Sequence, residues 1–259
     1  MNDEKKTLLR SIQIALFTAL TFAGTCVSIP LGASKVHLGN FVCLLAGVLC
    51  GPWVGAIAGS VGMGVNDIFF GYPPTTYIRT FILKFLMGFI VGWLFRVLLK
   101  KNAKGNALLF TGLGVAVALF AFVLIMYFVD PKQQYSLTLV ILTSCLLLLA
   151  VVETVFIAKL PNAAKLLGFS LLVALSVNVI GEFFIRYFIN LALGYDVAKA
   201  LLTSYLKLPG ALGTSLASII GVSVLFYPLY QATRRVNSLD DLAPYFPIRK
   251  KGEASEPTK

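Results

Sequence analysis

The sequence predicts an all-α fold, a polytopic membrane bundle of about eight helices, and two observations lead to that prediction. The 259-residue chain is 58% hydrophobic and only 13% charged, whereas a soluble domain carries about a quarter charged residues. Apolar runs of about 20 residues, long enough to cross a hydrocarbon core of about 30 Å, recur from one end of the chain to the other. Lipid is therefore the predicted solvent of this fold.

Each apolar run predicts one helix, except for the long tract at 38–70. This tract is too long for a single crossing, and it contains the turn sequence CGPW at 50–53. Because Gly and Pro break helices, the tract predicts two antiparallel helices with a tight turn, the first of them short. The predicted helical runs are Leu8–Pro30, Leu38–Phe70 (two helices), Thr76–Leu99, Ala107–Val129, Ser136–Ala158, Leu166–Leu191 and Pro209–Thr233.

The positions of the basic residues predict the orientation of the bundle. Lys and Arg concentrate at 5–10, 96–104, 159–165 and 234–259, and these segments hold most of the 22 basic residues. Cytoplasmic loops of membrane proteins carry such an excess, so both termini are predicted to be cytoplasmic. The same bias explains the net charge of +11, and nucleic acid is not a predicted partner.

Small residues recur at every fourth position on three of the predicted helices. Such rows let helix backbones approach closely in lipid, where no hydrophobic effect drives helices together. We expect the glycines to pack inside this chain, whereas for the alanines internal packing and docking of another protein are equally open. The rows are Ala15, Ala19 and Ala23; Gly51, Gly55 and Gly59; and Gly88 and Gly92.

Charged residues interrupt the predicted spans, and five of them fall in the predicted outer half of the membrane. A charge at the centre of a membrane helix costs roughly 2.5–3.5 kcal/mol, so these side chains are expected to face a cavity or one another. Glu153 lies near a cytoplasmic end instead, where we expect it to reach the membrane surface or to meet Lys159, without a functional role. The five outer charges are Asp67, Arg79, Lys84, Glu182 and Arg186.

Two helices carry polar side chains along one face. Residues at i, i+4, i+8 and i+12 share a face of a helix, and one such row contains Glu182 and Arg186. These two residues either neutralise each other as an i,i+4 pair or line a ligand cavity that opens outward. The flanking asparagines and the second polar helix favour the cavity. The two rows are Asn178, Glu182, Arg186 and Asn190, and Tyr77, Thr80 and Lys84.

Common catalytic and nucleotide-binding motifs are missing from the sequence. It contains no GxxxxGK[ST], GxSxG or HExxH motif, so the phosphate loop of an ATPase and the motifs of common hydrolases are excluded. The four cysteines show no CxxC spacing, and the single histidine, His37, is expected to be solvated in an outer loop. We therefore predict no metal site, no cofactor and no enzymatic activity.

Two blocks of the sequence resemble a known family. They are KVHLGNFVCLLAGVLCGPWVGAIAGSVGMGVNDIFFGY (35–72) and TFILKFLMGFIVGWLFR (80–96). Through the HLGN turn, the GPWVGAIAG hairpin, the DIFFG segment and Lys84, they resemble the substrate-binding S components of energy-coupling factor (ECF) vitamin transporters. LKLPGALGTSLASIIGVSVLFYPLYQATRR (206–235) is similar to the last helix of that fold. The resemblance covers about 8–101 and 166–235.

The resemblance implies an organisation of the chain around a six-helix core. Because eight helices are predicted, the hairpin at 105–160 is interpreted as an insertion. The resemblance also implies that the alanine row at 15–23 docks on a transmembrane coupling subunit. The predicted segments are a cytoplasmic N-terminus at 1–10, core helices one to four at 11–104, the inserted transmembrane hairpin at 105–160, the last two core helices at 161–235, and a disordered cytoplasmic tail at 236–259.

The function implied by the resemblance is high-affinity capture of a vitamin or vitamin precursor in the plasma membrane of a bacterial cell. Its implied partners are the transmembrane coupling subunit and two ABC ATPases, and its ligand is similar to pyridoxine or hydroxymethylpyrimidine, with riboflavin next. An ion-coupled secondary transporter stays an alternative, although no repeat of broken helices is found, as does a membrane-embedded enzyme that uses Asp67 and Glu182. The predicted substrate-binding residues are Asn40, Tyr77, Thr80, Lys84, Asn178, Glu182, Arg186 and Asn190.

Overall fold

The fold is an all-α bundle with one small β-hairpin near its N-terminal end, as seen in a computed structural model of the chain. The structure describes residues 3–31, 34–129, 134–157, 159–233, 242 and 245. Its elements are α1 (Asp3–Cys26), β1 (Ser28–Leu31), β2 (Ser34–His37), α2 (Gly39–Cys50), α3 (Pro52–Phe69), α4 (Pro74–Lys100), α5 (Gly105–Val129), α6 (Gln134–Ile157), α7 (Asn162–Ala192), α8 (Val197–Tyr205) and α9 (Leu208–Thr233).

The prediction of a polytopic all-α membrane protein is confirmed. Within the described residues, four helical stretches are long and apolar enough to cross a membrane. Each predicted run corresponds to a helix, and the structure adds the short helix α8, whose N-terminus is capped by Asp196 accepting a hydrogen bond from the backbone N–H of Lys199. The four stretches are Asp3–Cys26, Pro74–Lys100, Asn162–Ala192 and Val197–Ala232.

The predicted turn at 50–53 is present and joins α2 to α3. Gly51 has a φ of 112°, a backbone conformation that residues with a Cβ atom rarely adopt. Pro52 follows as the first residue of α3, where its missing N–H leaves no hydrogen bond unmade. These two residues reverse the chain without an intervening loop, so α2 and α3 lie side by side.

Glycines bring the backbones of α2, α3 and α4 into contact. A Cβ atom at Gly55 would meet the backbone of Gly47 on α2, and one at Gly88 on α4 would meet the carbonyl of Gly55. A Cβ atom at Gly92 would meet the backbone of Gly47 and Pro52. The glycines therefore pack helices within the chain, as the sequence predicted.

The alanine row of α1 has a different environment. Ala15, Ala19 and Ala23 are all exposed, whereas Thr21 and Thr25 on the other side of the helix are buried. A Cβ atom at Gly62 of α3 would meet Thr21, so this second side packs against the bundle. Internal packing, one of the two interpretations of the alanine row, is thus excluded within the described residues.

The β-hairpin between α1 and α2 is not predicted from the sequence. β1 and β2 pair antiparallel, with Ile29 opposite Val36 and Pro30 opposite Lys35. The backbone N–H of His37 lies 3.4 Å from the Thr214 hydroxyl oxygen, to which it donates. The hairpin is thereby attached to the first turns of α9.

Helices α5 and α6 form a hairpin whose two ends meet at one residue. The Asn162 side-chain oxygen accepts a hydrogen bond from the Gly105 N–H at 2.7 Å, and its amide donates to the Ala103 carbonyl at 2.9 Å. The hairpin thus begins and ends at the same place. Between the predicted helices Ala107–Val129 and Ser136–Ala158 the structure describes only 134 and 135, and of the predicted disordered tail it describes only Leu242 and Tyr245.

Glu153 of α6 is not at the surface, so the expectation that it reaches the membrane surface or meets Lys159 is wrong. Its side chain is fully buried, and neither of its carboxyl oxygens has a hydrogen-bond partner among the described residues. A Cβ atom at Gly168 of α7 would collide with this carboxyl group. The missing side chain of Gly168 leaves the space between α6 and α7 in which Glu153 fits.

Candidate functional site

A polar cavity lies at the end of the bundle where α1 and α3 end and where α4 and α9 begin. Its volume is about 340 Å³, within the range of roughly 300–1,000 Å³ that small-molecule sites occupy. The β-hairpin contributes Lys35 and His37 to its wall. The lining residues are Thr25, Lys35, His37, Asn40, Met63, Asp67, Tyr72, Thr76, Arg79, Thr80, Lys84, Asn178, Glu182, Arg186, Lys207, Gly210, Ala211 and Thr214.

Glu182 of α7 is the centre of a charged cluster in this cavity. One of its carboxylate oxygens, Oε2, lies 3.1 Å from Arg79 Nε and 3.8 Å from Arg186 Nη2. The other oxygen, Oε1, lies 3.9 Å from Lys84 Nζ. The charges of two helices are thus gathered around one carboxylate, because a charge facing lipid would be costly.

The same two helices are joined by a short hydrogen bond deeper in the bundle. The buried Lys84 ammonium donates to the Asn178 side-chain oxygen at 2.6 Å. At the end of α3, the Asp67 carboxylate accepts a hydrogen bond of 2.6 Å from the Thr80 hydroxyl. These contacts fix the side chains that line the cavity, since each donor is held by an acceptor on another helix.

Simple neutralisation of Glu182 by Arg186 does not describe this cluster. The Arg186 contact is longer than the Arg79 contact, and Arg79 comes from a different helix. Both residues of the i,i+4 pair line the cavity. The structure therefore agrees with the second interpretation of the polar row, in which it faces a cavity.

Six of the predicted substrate-binding residues line the cavity, and two do not. Asn190 donates a hydrogen bond to the Thr203 hydroxyl at 2.7 Å and so faces α8. An α-helix has 3.6 residues per turn, so four residues advance it by about 400°, which is one turn and about 40° more. A row of residues at every fourth position therefore rotates around the helix by about 40° at each step. By its fourth member, Asn190, the row no longer faces the cavity. The six lining residues are Asn40, Thr80, Lys84, Asn178, Glu182 and Arg186.

Tyr77 is the second predicted residue outside the cavity wall. On α4 the lining positions are Thr76, Thr80 and Lys84, together with Arg79. These positions are three or four residues apart and therefore share one face of α4. Thr76, and not the neighbouring Tyr77, belongs to this face. The helix itself was predicted correctly, and of its predicted polar row Thr80 and Lys84 line the cavity whereas Tyr77 does not.

His37, expected to be solvated in an outer loop, lies partly buried in the cavity wall. Its Nδ1 atom accepts a hydrogen bond from the Gly39 N–H at 3.2 Å. Burial, with the nearby Lys84 and Lys35 charges, lowers the pKa of His37 from 6.5 to about 3. The imidazole is therefore neutral at physiological pH.

This low pKa predicts an acid-dependent loss of stability. His37 is neutral in the folded protein above pH 3, whereas in the unfolded chain it takes up a proton below about pH 6.5. Acidification from pH 6.5 should therefore lower the free energy of unfolding by up to about 1.4 kcal/mol per pH unit through this group. Melting temperatures of the wild type and of His37→Gln, measured between pH 5 and 8, test this. Equal slopes in the two proteins would contradict it.

Four other residues of the cavity wall could not be recognised from the sequence, because their residue types are common in membrane helices. They are Thr25, Thr214, Gly210 and Ala211. Arg79 was visible as a charge in a span, but not as the closest partner of Glu182. Within the described residues, no three His, Cys, Asp or Glu side chains lie close enough together to hold a metal ion.

The comparison with protein families gives one match. The family model described as "ECF-type riboflavin transporter, S component" matches residues 5–161, which is more than half of the chain. No curated protein and no solved structure matches. The matched range ends before α7 and includes the α5–α6 hairpin. The interpretation of this hairpin as an insertion therefore stays a prediction. With most of its length matched and its helical membrane fold in agreement, the chain belongs to the ECF-type riboflavin transporter S-component family.

Proposed function

We propose that this protein is the substrate-binding subunit of an ECF-type ABC importer for a riboflavin-like or pyridoxine-like vitamin, or for a hydroxymethylpyrimidine-like precursor. The observation that carries the proposal is the polar cavity around Glu182, which lies in an otherwise apolar bundle of an S-component family member. Buried charges in a membrane helix are costly and are a mark of function. The sequence has no phosphate loop of its own, so energy for uptake comes from a partner.

The orientation follows from where the cavity lies relative to the basic segments. The cavity is at the end of α1 opposite the N-terminus, and Arg96, Lys100 and Lys104 lie at the far end of α4 or just beyond it. With the basic segments in the cytoplasm, the cavity opens to the outside of a bacterial cell membrane. The vitamin is then captured from outside, and both termini are cytoplasmic.

The exposed alanine row of α1 is the proposed docking face for the transmembrane coupling subunit. Ala15, Ala19 and Ala23 present only methyl groups to the surroundings, which lets another membrane helix approach closely. Two ABC ATPases bound to the coupling subunit would supply the energy.

Transport in proteoliposomes tests this proposal against the secondary-transport alternative. The chain is reconstituted alone or with the coupling subunit and both ATPases, and uptake of radiolabelled riboflavin, pyridoxine and their 5′-phosphates is measured. We expect uptake only with the complete complex and only with ATP inside the cytoplasmic compartment. Uptake by the chain alone, driven by an ion gradient, would contradict the proposal and identify a secondary transporter.

A further inference from the structure

We propose that the molecule bound in this cavity carries a negatively charged group, a phosphate ester or a carboxylate. The inference rests on the proposed function and narrows the substrate class of the same site. Three separate observations lead to it. The first is the excess of positive charge in the cavity wall, and the second is that the Nε atoms of Arg79 and Arg186 make no hydrogen bond within the described residues. The third is a buried side-chain oxygen on α2, that of Asn40, which accepts no hydrogen bond within the same residues.

Positive charge exceeds negative charge in the cavity wall. Even without Lys207, the described lining residues include four cationic side chains but only two carboxylates, with His37 neutral. Uncompensated charges in a low-dielectric interior are expensive, so a surplus of two positive charges favours an anion. The four cationic residues are Lys35, Arg79, Lys84 and Arg186, and the carboxylates are Asp67 and Glu182.

The two carboxylates cannot satisfy all of the cations around them. Asp67 already accepts a hydrogen bond from Thr80. Glu182 alone lies within 4 Å of three cationic side chains, those of Arg79, Lys84 and Arg186. A single carboxylate neutralises one of the three, and the remaining charge has to be met by a ligand or by water.

The two arginines have hydrogen-bonding capacity left over. Arg79 is only 6% exposed, and its Nε atom lies 3.1 Å from Glu182 Oε2 in an ion pair that lacks hydrogen-bond geometry. The Nε atom of Arg186 is buried without a hydrogen-bond partner among the described residues. Guanidinium groups bind phosphates and carboxylates through paired N–H donors, so an anionic oxygen placed between these arginines would satisfy both.

Asn40 of α2 adds a requirement of the opposite kind. Its side chain is 1% exposed, and its Oδ1 atom has no hydrogen-bond partner among the described residues. A buried acceptor that receives no hydrogen bond is destabilising, because it has lost its hydrogen bonds to water. The ligand is therefore expected to bring an N–H or O–H donor to Asn40 as well as an anionic group to Arg79 and Arg186.

Matched pairs of probes that differ only in charge test this inference. Binding of riboflavin against riboflavin 5′-phosphate, of pyridoxine against pyridoxine 5′-phosphate, and of inorganic phosphate alone is measured on the full chain in phosphatidylcholine nanodiscs. We expect the charged member of at least one pair to bind at least about tenfold tighter than its neutral partner, equivalent to about 1.4 kcal/mol.

A variant and a matched control assign the preference to the cavity. Arg186→Gln removes a cavity charge from a side chain that is 21% exposed, so the protein should fold, and the preference for the charged probe should fall at least about tenfold. Lys199→Gln removes the same charge from an exposed position of α8 that does not line the cavity, and the preference should persist. Thermal melting without ligand confirms that both variants are folded.

Any of four results would overturn the inference. The first three are equal or tighter binding of the neutral members, no binding of any charged probe, and a preference that survives Arg186→Gln. The fourth is displacement of the charged probes by phosphatidylglycerol added to the nanodiscs, because a lipid headgroup would then be the anion. The proposed function is tested separately: tight binding of neutral riboflavin with ATP-dependent uptake would leave it standing, whereas uptake of the charged probes by the chain without any coupling subunit would contradict the proposed function alone.

Discussion

Glu182→Gln should lower the stability of the ligand-free protein by about 3–5 kcal/mol, the usual cost of removing one partner from a buried ion pair. The substitution keeps the shape of the side chain, but it leaves Arg79, Lys84 and Arg186 without the carboxylate that they share. Thermal melting of the purified protein in one detergent, followed by tryptophan fluorescence, is the measurement. We expect a decrease on the order of 10 °C.

The double variant Glu182→Gln/Arg186→Gln provides the control for this prediction. It removes one cation together with the anion, so the charge surplus of the wall returns to its wild-type value. Because neighbouring charges are not additive, the double variant should melt at a higher temperature than Glu182→Gln alone. If Glu182→Gln alone melts at the same temperature as the wild type, water already screens the charges of the cluster.

Ala19→Leu should abolish ATP-dependent uptake while leaving ligand binding intact. The leucine side chain would project from the exposed face of α1, where it would hold a partner helix away from the alanine row. Co-purification of the coupling subunit should fall by at least about tenfold, or about 1.4 kcal/mol in binding free energy. Affinity for the best-binding probe, measured on the chain alone, should not change, because Ala19 does not line the cavity.

Ala118→Leu is the matched control for the docking prediction. Ala118 is exposed on α5, away from the alanine row, so the same increase in side-chain size should leave co-purification and uptake unaffected. If Ala19→Leu supports uptake at the wild-type rate, the alanine row is not part of the docking face. Loss of both functions in both variants would indicate a general effect of larger side chains on membrane insertion.

The helices were predictable because hydrophobicity in a membrane protein is a property of the local sequence. Each long apolar run became a helix, and Gly51 and Pro52 marked the turn between α2 and α3. The β-hairpin was missed because its short strands are fixed by tertiary contacts, among them the hydrogen bond from His37 to Thr214. Short α8 was missed for a similar reason, since nine residues are too few for a clear periodic pattern.

The charges within the predicted helices marked the site, whereas several of its neutral residues gave no signal. Glu182, Arg186 and Lys84 stand out because charges are rare in membrane helices. Thr25 and Thr214 also line the cavity, but threonine is common in such helices and gives no signal. Asn190 lies outside the cavity wall because a row at every fourth residue winds around the helix.

The short helix α2 would place the proposed ligand inside the electric field of the membrane. Its 12 residues extend about 18 Å at 1.5 Å per residue, well short of a hydrocarbon core of about 30 Å. With the turn between α2 and α3 at the cytoplasmic surface, as the proposed orientation implies, Asn40 in the first turn of α2 would lie below the outer membrane surface. A charge that crosses the full membrane potential changes in energy by about 2.3 kcal/mol per 100 mV. An anionic ligand that moves to Asn40 crosses part of that voltage, so its affinity in a living cell depends on how strongly the membrane is energised, whereas the affinity of a neutral vitamin does not.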